Sequence, residues 1–147
     1  MDLKDRIKTL SGQLSKEVIG ARRHLHANPE LSFEEYNTAS YIREFLRKLP
    51  IDQLDEMATT GTVAIIKGNN PDKKVVALRA DIDALPILEK NTVPYKSTNE
   101  GVMHACGHDV HTSSLLGVAK ILCELKGEFE GTVKLIFQPG EEKLPGG

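Results

Sequence analysis

Four residues of this chain, Cys106, His108, Glu141 and Glu142, have the side-chain types that bind zinc-like ions: a thiol, an imidazole and carboxylates. Cys106 and His108 stand two apart in Met103-His104-Ala105-Cys106-Gly107-His108-Asp109. In an extended segment such residues project to the same side, so one loop can grip one ion or neighbouring ions, and Gly107 lets the backbone fold tightly between them. The adjacent glutamates point in different directions. One can ligate a metal while the other takes a proton from a water that the metal has made more acidic, a division of labour that a purely structural zinc site does not need. Each pair carries little alone: structural zinc motifs bring paired Cys or His clusters, and a Glu-Glu pair by itself reads as a solvated surface feature. Their placement in the chain gives them weight.

Three elements must do the placing. Val75, Val76, Ala77 and Leu78, within Lys73 to Asp83, form a short continuous apolar run expected of a strand buried on both faces, with Asp81 and Asp83 at its carboxyl end. Asp109 reads as the N-cap of a helix from Val110 to Lys126, with Leu115, Val118, Ala119, Leu122 and Leu125 at the helical period. The Cys106/His108 loop then abuts a helix N-terminus, whose partial positive charge favours the thiolate. Thr132 to Phe137 reads as another strand, stopped by Pro139 and Gly140, so Glu141 and Glu142 follow its carboxyl end. Ligands of open α/β sheets bind at such carboxyl ends, so the groups are expected to share one rim.

The remaining sequence supports a domain of sheet and helices. A helix is predicted over Ser15 to Ala27 with Ser15 as N-cap, and Ser32-Phe33-Glu34-Glu35 has the form of a capping box opening a second helix to about Leu49. Tyr41, Ile42, Phe45, Leu46 and Leu49 form that helix's apolar side, and Thr62 to Lys67 reads as a strand. The aperiodic segment between Asp83 and Asp109 reads as a functional loop wrapping the site. His24 and His26 read as cations near a helix C-terminus before Pro29, not as ligands. His104 and His111 are assigned roles behind the ligands or toward substrate, not direct coordination.

Of the 147 residues 39% are hydrophobic and 27% charged, with a formal net charge of −2, a length and balance that fit one domain. No basic run matches a nucleic-acid partner, and no apolar stretch is long enough to cross a bilayer. The start Met1-Asp2-Leu3-Lys4-Asp5 lacks the order of a secretory signal, so a cytoplasmic location is expected. Two cysteines, Cys106 and Cys123, are too few for a disulfide framework, and Cys123 falls within the amphipathic helix as a reduced, partly buried thiol.

Four blocks in order carry a resemblance to a known family: RRHLHANPELSFEE (Arg22 to Glu35), ALRADIDALP (Ala77 to Pro86), MHACGHDVHTSSLLGVAKIL (Met103 to Leu122) and GTVKLIFQPGEE (Gly131 to Glu142). Together they closely resemble the metal-dependent amidohydrolases that cleave N-acyl and indole-acetyl amino acids, within the aminoacylase and carboxypeptidase superfamily of two-metal peptidases. The resemblance implies an α/β fold with a mixed, largely parallel sheet flanked by helices. It implies two divalent ions, zinc or manganese first and cobalt also accepted, with Cys106 bridging them and His108 and Glu142 as terminal ligands. Glu141 would be the general base and acid. Asp81 falls where the superfamily has the aspartate that orients a metal-bound histidine; Arg79 stands in that histidine's place, and His108 takes over the ligand duty. The substrate implied is a small N-acyl amino acid.

Members of the family are longer, with two further histidine ligands and a lid and dimerisation domain beyond the point equivalent to Gly147. Residues 1–147 are therefore expected to be the amino-terminal part of the catalytic domain, with hydrolysis, and any homodimer, needing the part beyond. Other readings stay open: a catalytically inactive metal- or partner-binding remnant of the fold, a carboxypeptidase or dipeptidase of the same superfamily, or a cysteine hydrolase with Cys106 as nucleophile beside a histidine. The last leaves Glu141 and Glu142 without a task.

Overall fold

In a computed structural model, residues 2–147 are described; Met1, part of the amino-terminal start read above, lies outside them. The elements run α1 (Leu3–Ala27), α2 (Tyr36–Arg47), β1 (Gln53–Met57), β2 (Gly61–Lys67), β3 (Val75–Asp81), α3 (His108–Glu124) and β4 (Thr132–Gln138). The strands form one mixed sheet in the order β1-β2-β4-β3. The sheet is mixed as expected, but of its three pairings only β3 with β4 is parallel. A short turn through Ala58 and Thr59, both at positive φ, joins β1 to β2, and so short a connection permits only antiparallel pairing. The sequence reading missed β1 because Gln53-Leu54-Asp55-Glu56-Met57 is a polar edge strand with no buried face to mark it.

The parallel pair matters most for function. Its register sets Asp81 opposite Gln138, so the carboxyl ends of β3 and β4 open side by side on one rim, and α3 is the crossover between them. β3 is not buried on both faces: Val75, Val76 and Leu78 are 57%, 41% and 39% exposed, because β4 flanks it on one side only. Burial begins at Ala80 and Asp81, where the strand runs into the site.

Helix boundaries differ from the sequence reading for local reasons. α1 begins at Leu3, not Ser15, with the Asp2 carboxylate accepting from the Asp5 amide at 2.8 Å. Its stripe of Leu10, Leu14, Val18, Ala21 and Leu25 faces inward, but only Ala21 and Leu25 are fully buried, and the thinly covered first half gives a weak periodic signal. α2 begins at Tyr36, with Glu35 at the N-cap position making no side-chain cap bond, and ends at Arg47. The capping box is not formed, because Ser32 and Glu35 are engaged elsewhere. α3 begins at His108 and ends at Glu124. Its cap is Gly107 at φ 103, a left-handed conformation glycine adopts freely, and Asp109 lies inside the first turn.

The core lies between one sheet face and the helices. Ile42 and Leu46 of α2, Leu116 and Ala119 of α3, Ala64 and Ile66 of β2, and Leu135 and Phe137 of β4 are almost wholly buried in one cluster. Each large side chain there contributes about 1.5–3 kcal/mol through burial. Tyr41, Phe45 and Leu49 pack against the cluster, as the helical period predicts. Residues 82–107 form a long irregular segment held by a bridge between Leu85 and Met103 and by the Ala84 amide donating to the Glu30 carbonyl at 2.8 Å. Among the described residues no helix is long and apolar enough to cross a membrane.

Candidate metal centre

His108 is the fixed point of the site. As the first residue of α3 it is almost fully buried, and its Nδ1 faces Asp83, 2.9 Å from the backbone carbonyl oxygen and 3.2 Å from the carboxylate. Nε2 is thereby aimed the other way, 3.7 Å from a Glu141 oxygen and 3.8 Å from a Glu142 oxygen. The carboxylate that meets the His108 ring is thus that of Asp83; Asp81, matched by resemblance to an aspartate orienting a histidine, has Arg79 in that histidine's place. Asp83 also accepts from the Ser32 hydroxyl at 2.7 Å and from the Glu142 amide at 2.9 Å. Burial alone would raise its carboxyl, but the hydrogen bonds from His108, Ser32 and the Glu142 amide outweigh it and hold the group well below the usual carboxylate range. Asp83 in turn lifts the His108 imidazole to about 9, with burial opposing.

Cys106, His108 and Glu142 come together as the sequence predicts. Their donor atoms lie within 4.8 Å of one another. The 3.8 Å between His108 Nε2 and Glu142 exceeds a hydrogen bond and matches the roughly 3–4 Å expected between two ligands each about 2.0–2.2 Å from one ion. Glu142 Oε1 is buried without a hydrogen-bond partner among the described residues, a costly state that a cation relieves. Soft sulfur, imidazole nitrogen and carboxylate oxygen suit a divalent transition metal, so the residues fit the group. Glu141 is more exposed and stands beside them.

One expectation fails here. The helix N-terminus does not favour the Cys106 thiolate in the metal-free chain. The hydrogen-bonding Glu142 carboxylate, then burial, then the charges of Glu142, Glu141 and Asp81 push the thiol up instead.

Asp81 lies beside the centre. Its Oδ2 is 3.4 Å from Arg79, its Oδ1 is buried without a hydrogen-bond partner among the described residues, and its carbonyl accepts from Thr112 at 2.9 Å. With His108 and His111 it forms a second donor set within 4.8 Å that shares His108. His111, read as a group behind the ligands or toward substrate, is exposed, with its ring 5.8 Å from that of His108. His104 is buried, and neither ring nitrogen has a partner among the described residues. Burial brings its imidazole down to about 4, keeping it neutral near pH 7.

Behind the loop lies a network that sequence reasoning missed. His26 is not an exposed cation at a helix end: it is buried, with Nδ1 2.7 Å from Asp109 and Nε2 3.0 Å from Glu89. Arg22 reaches the same Asp109 oxygen at 3.0 Å. His24 does remain outside, stacked on Tyr41. The network ties α1, the wrapping segment and the first turn of α3 together, next to His108. Its sequence signal was the spacing of Arg22 and His26 on one helix face, one turn apart. Burial raises the Glu89 carboxyl, but hydrogen bonds from His26, the Ser97 amide and Asn91 prevail and bring it down to about 2. A depressed carboxyl contributes stability in full above its ordinary value of 4.5 and loses it as pH falls toward 2. Across that window the stability gap between wild type and Glu89→Gln should narrow by up to about 3 kcal/mol, read by urea unfolding. A gap independent of pH would remove Glu89 from the ionic network.

Fold and donor set together define an α/β domain with a candidate divalent-metal centre on the rim of its parallel strand pair. Residues 77–147 match the model of peptidase family M20/M25/M40. The chain is 48% identical to an N-acyl-L-amino acid amidohydrolase of Geobacillus stearothermophilus, with 98% of this chain and 39% of that protein aligned. It is 45% identical to a hippurate hydrolase of Campylobacter jejuni, over 99% of this chain and 36% of the relative. Among solved structures it resembles the Bacillus subtilis YXEP protein, described as a dinuclear metal-binding peptidase of the M20 family. The TM-score is 0.84 and the identity 45%, over 92% of this chain and 38% of that one. The chain thus spans less than two fifths of the length of these relatives and corresponds to their amino-terminal portion.

Proposed function

We propose that this chain is the amino-terminal part of the catalytic domain of a metal-dependent hydrolase that cleaves the amide bond of N-acyl amino acids. The observation that carries the reading is the convergence of Cys106, His108 and Glu142 within 4.8 Å, with Glu141 3.7 Å from the same imidazole. The names of the relatives, an N-acyl-L-amino acid amidohydrolase and a hippurate hydrolase, support the substrate class. The dinuclear neighbour supports two ions, for which zinc and manganese are our first assignments and cobalt the next. Cys106 would bridge them, and His108 and Glu142 would be terminal ligands.

A divalent ion held there supplies Lewis-acid polarisation of the amide carbonyl and makes an attacking water more acidic. Glu141 takes a proton from that water as its oxygen bonds to the carbonyl carbon. It then delivers the proton to the nitrogen as the carbon–nitrogen bond breaks, releasing a carboxylic acid and an amino acid. Asp83 holds His108 with Nε2 facing the donors. We assign Asp81 to the wall beside Arg79 and His111. Two free cysteines, one of them a ligand that must stay reduced, support a cytoplasmic setting. We place any homodimer contact outside residues 1–147, in the longer part that the relatives possess.

A thermostable carboxypeptidase of Saccharolobus solfataricus, 47% identical over 97% of this chain, favours a second reading: peptide cleavage beside a terminal carboxylate. Comparing N-benzoyl amino acids with dipeptides as substrates of an active form separates the two. The metal centre is tested on the chain itself. Elemental analysis after purification without chelator should find a divalent transition metal, and Cys106→Ser combined with His108→Ala should lower its content at least tenfold. Equal content in the double variant would refute the assignment.

A further inference from the structure

Ser32-Phe33-Glu34-Glu35 has the spacing of a capping box, yet its side chains serve another part of the molecule. Glu35 is fully buried, and both carboxylate oxygens are used: one accepts from the Thr60 hydroxyl at 2.7 Å, the other from the Gly140 amide at 2.8 Å. Both partners are neutral donors, so helix capping gains nothing from this carboxylate and burying it is expensive. Phe33 adds a second, independent oddity, a bulky residue at φ 68 in the left-handed region, at a cost on the order of 1 kcal/mol. Its ring fills the space beneath Gly140, itself at φ 61, so that a side chain at 140 would collide with it. Ser32 completes the set by donating to the Asp83 oxygen that also accepts the Glu142 amide. Residues 32–35 thus hold both ends of the turn that carries the two glutamates: the Gly140 amide directly, and the Glu142 amide through Asp83.

We infer that Glu35 and Phe33 are positioning residues that fix the backbone of the Gly140–Glu142 turn and so aim Glu142 at Cys106 and His108. This rests on the metal-centre reading above. The strain at Phe33 and the buried charge at Glu35 are both explained by that single task. Carboxylate ligands work only within about 0.5 Å of the productive geometry, and the turn follows a strand end with no backbone–backbone pairing of its own among the described residues. Gly140 is required twice, once for its φ and once for the ring beneath it.

The test is zinc affinity of the 147-residue chain, measured by competition with a chromophoric chelator, with circular dichroism confirming that each variant is folded. Glu35→Ala should weaken zinc binding tenfold or more. Glu35→Gln keeps an acceptor for the Gly140 amide and should stay within about threefold of wild type. If Glu35 acts through Glu142, the two changes are coupled, and adding Glu35→Ala to Glu142→Ala should weaken binding no further. Wild-type affinity in folded Glu35→Ala, or a full additional loss in the Glu142→Ala background, would overturn the proposal while leaving the metal centre standing. Should Glu35→Ala not fold, Phe33→Ala enters the same cycle, because it frees the space beneath Gly140 without touching the carboxylate. A severalfold loss that vanishes in Glu142→Ala is expected, and an unchanged or additive result refutes. Failure of the wild-type chain to bind zinc at all would sink the metal centre, and the positioning role with it.

Discussion

Glu141→Gln is expected to lower kcat on an N-acyl amino acid by a hundredfold or more in any active form of the protein, with metal content near normal. The change removes the proton acceptor but keeps the side chain's shape, and general acid–base catalysis by one group is worth about 10²–10⁴ in rate. Glu142→Gln should behave in the opposite order, losing metal first and activity as a consequence, with part of the rate recovered in excess metal. The structure gives a reason for the contrast. Glu142 is half-buried, with an unpartnered oxygen among the described residues, beside Cys106 and His108, whereas Glu141 is the more exposed of the two. A merely solvated pair would tolerate both changes. Loss of metal on changing Glu141 and its retention on changing Glu142 would mean that the two roles are exchanged.

Asp83→Ala should destabilise the metal-free chain by about 3–5 kcal/mol near pH 6, the usual cost of removing one partner of a buried ion pair. The loss is large because three donors depend on this residue: the His108 ring, the Ser32 hydroxyl and the Glu142 amide. The pH dependence follows from the directions of the two shifts. The depressed Asp83 carboxyl contributes above the usual carboxylate range and loses that contribution in acid, whereas the raised His108 contributes fully below 6.5 and loses it as pH climbs through about 9. Wild type should therefore approach the variant's stability toward alkaline pH. Zinc reverses that trend, because the ion needs a neutral imidazole and a thiolate and competes with both protons. Zinc affinity should therefore rise with pH through about 9 as His108, and above it the raised Cys106 thiol, give up their protons. Urea unfolding of both chains across this range checks the first statement. A difference below about 1 kcal/mol near pH 6 would show that Asp83 does not hold His108.

What the sequence made legible, and what it hid, divides by the range of the signal. Strands β2 and β4 and the faces of α2 and α3 are written in local periodicity, so Ile42, Leu46, Leu115 and Ala119 could be placed by counting. Cys106, His108 and the Glu141-Glu142 pair could be singled out because residue type and strand-end position converge on them, whereas the choice of Glu142 as ligand came only from the family resemblance. Their neighbours were hidden, because partnership between distant segments leaves no period. Nothing around Asp83 announces that it, and not Asp81, faces His108, since both lie at the same strand end and the choice is made by how α3 docks. His26 and Glu35 were assigned to helix ends because helix-end statistics are local, whereas their partners, Asp109 and Gly140, lie far along the chain. β1 was missed for the converse reason, a pairing that buries almost nothing.

The acidic surroundings of Cys106 also bear on its life without metal. Thiols are attacked by alkylating and oxidising agents as thiolates, and the carboxylates around this sulfur keep it in the protonated form. Cys123, the other cysteine, lies within α3 and is itself pushed up by burial. The carboxylates that attract a cation therefore act as a chemical preservative until it arrives, slowing the steps toward sulfinic and sulfonic acid from which a ligand sulfur would not return.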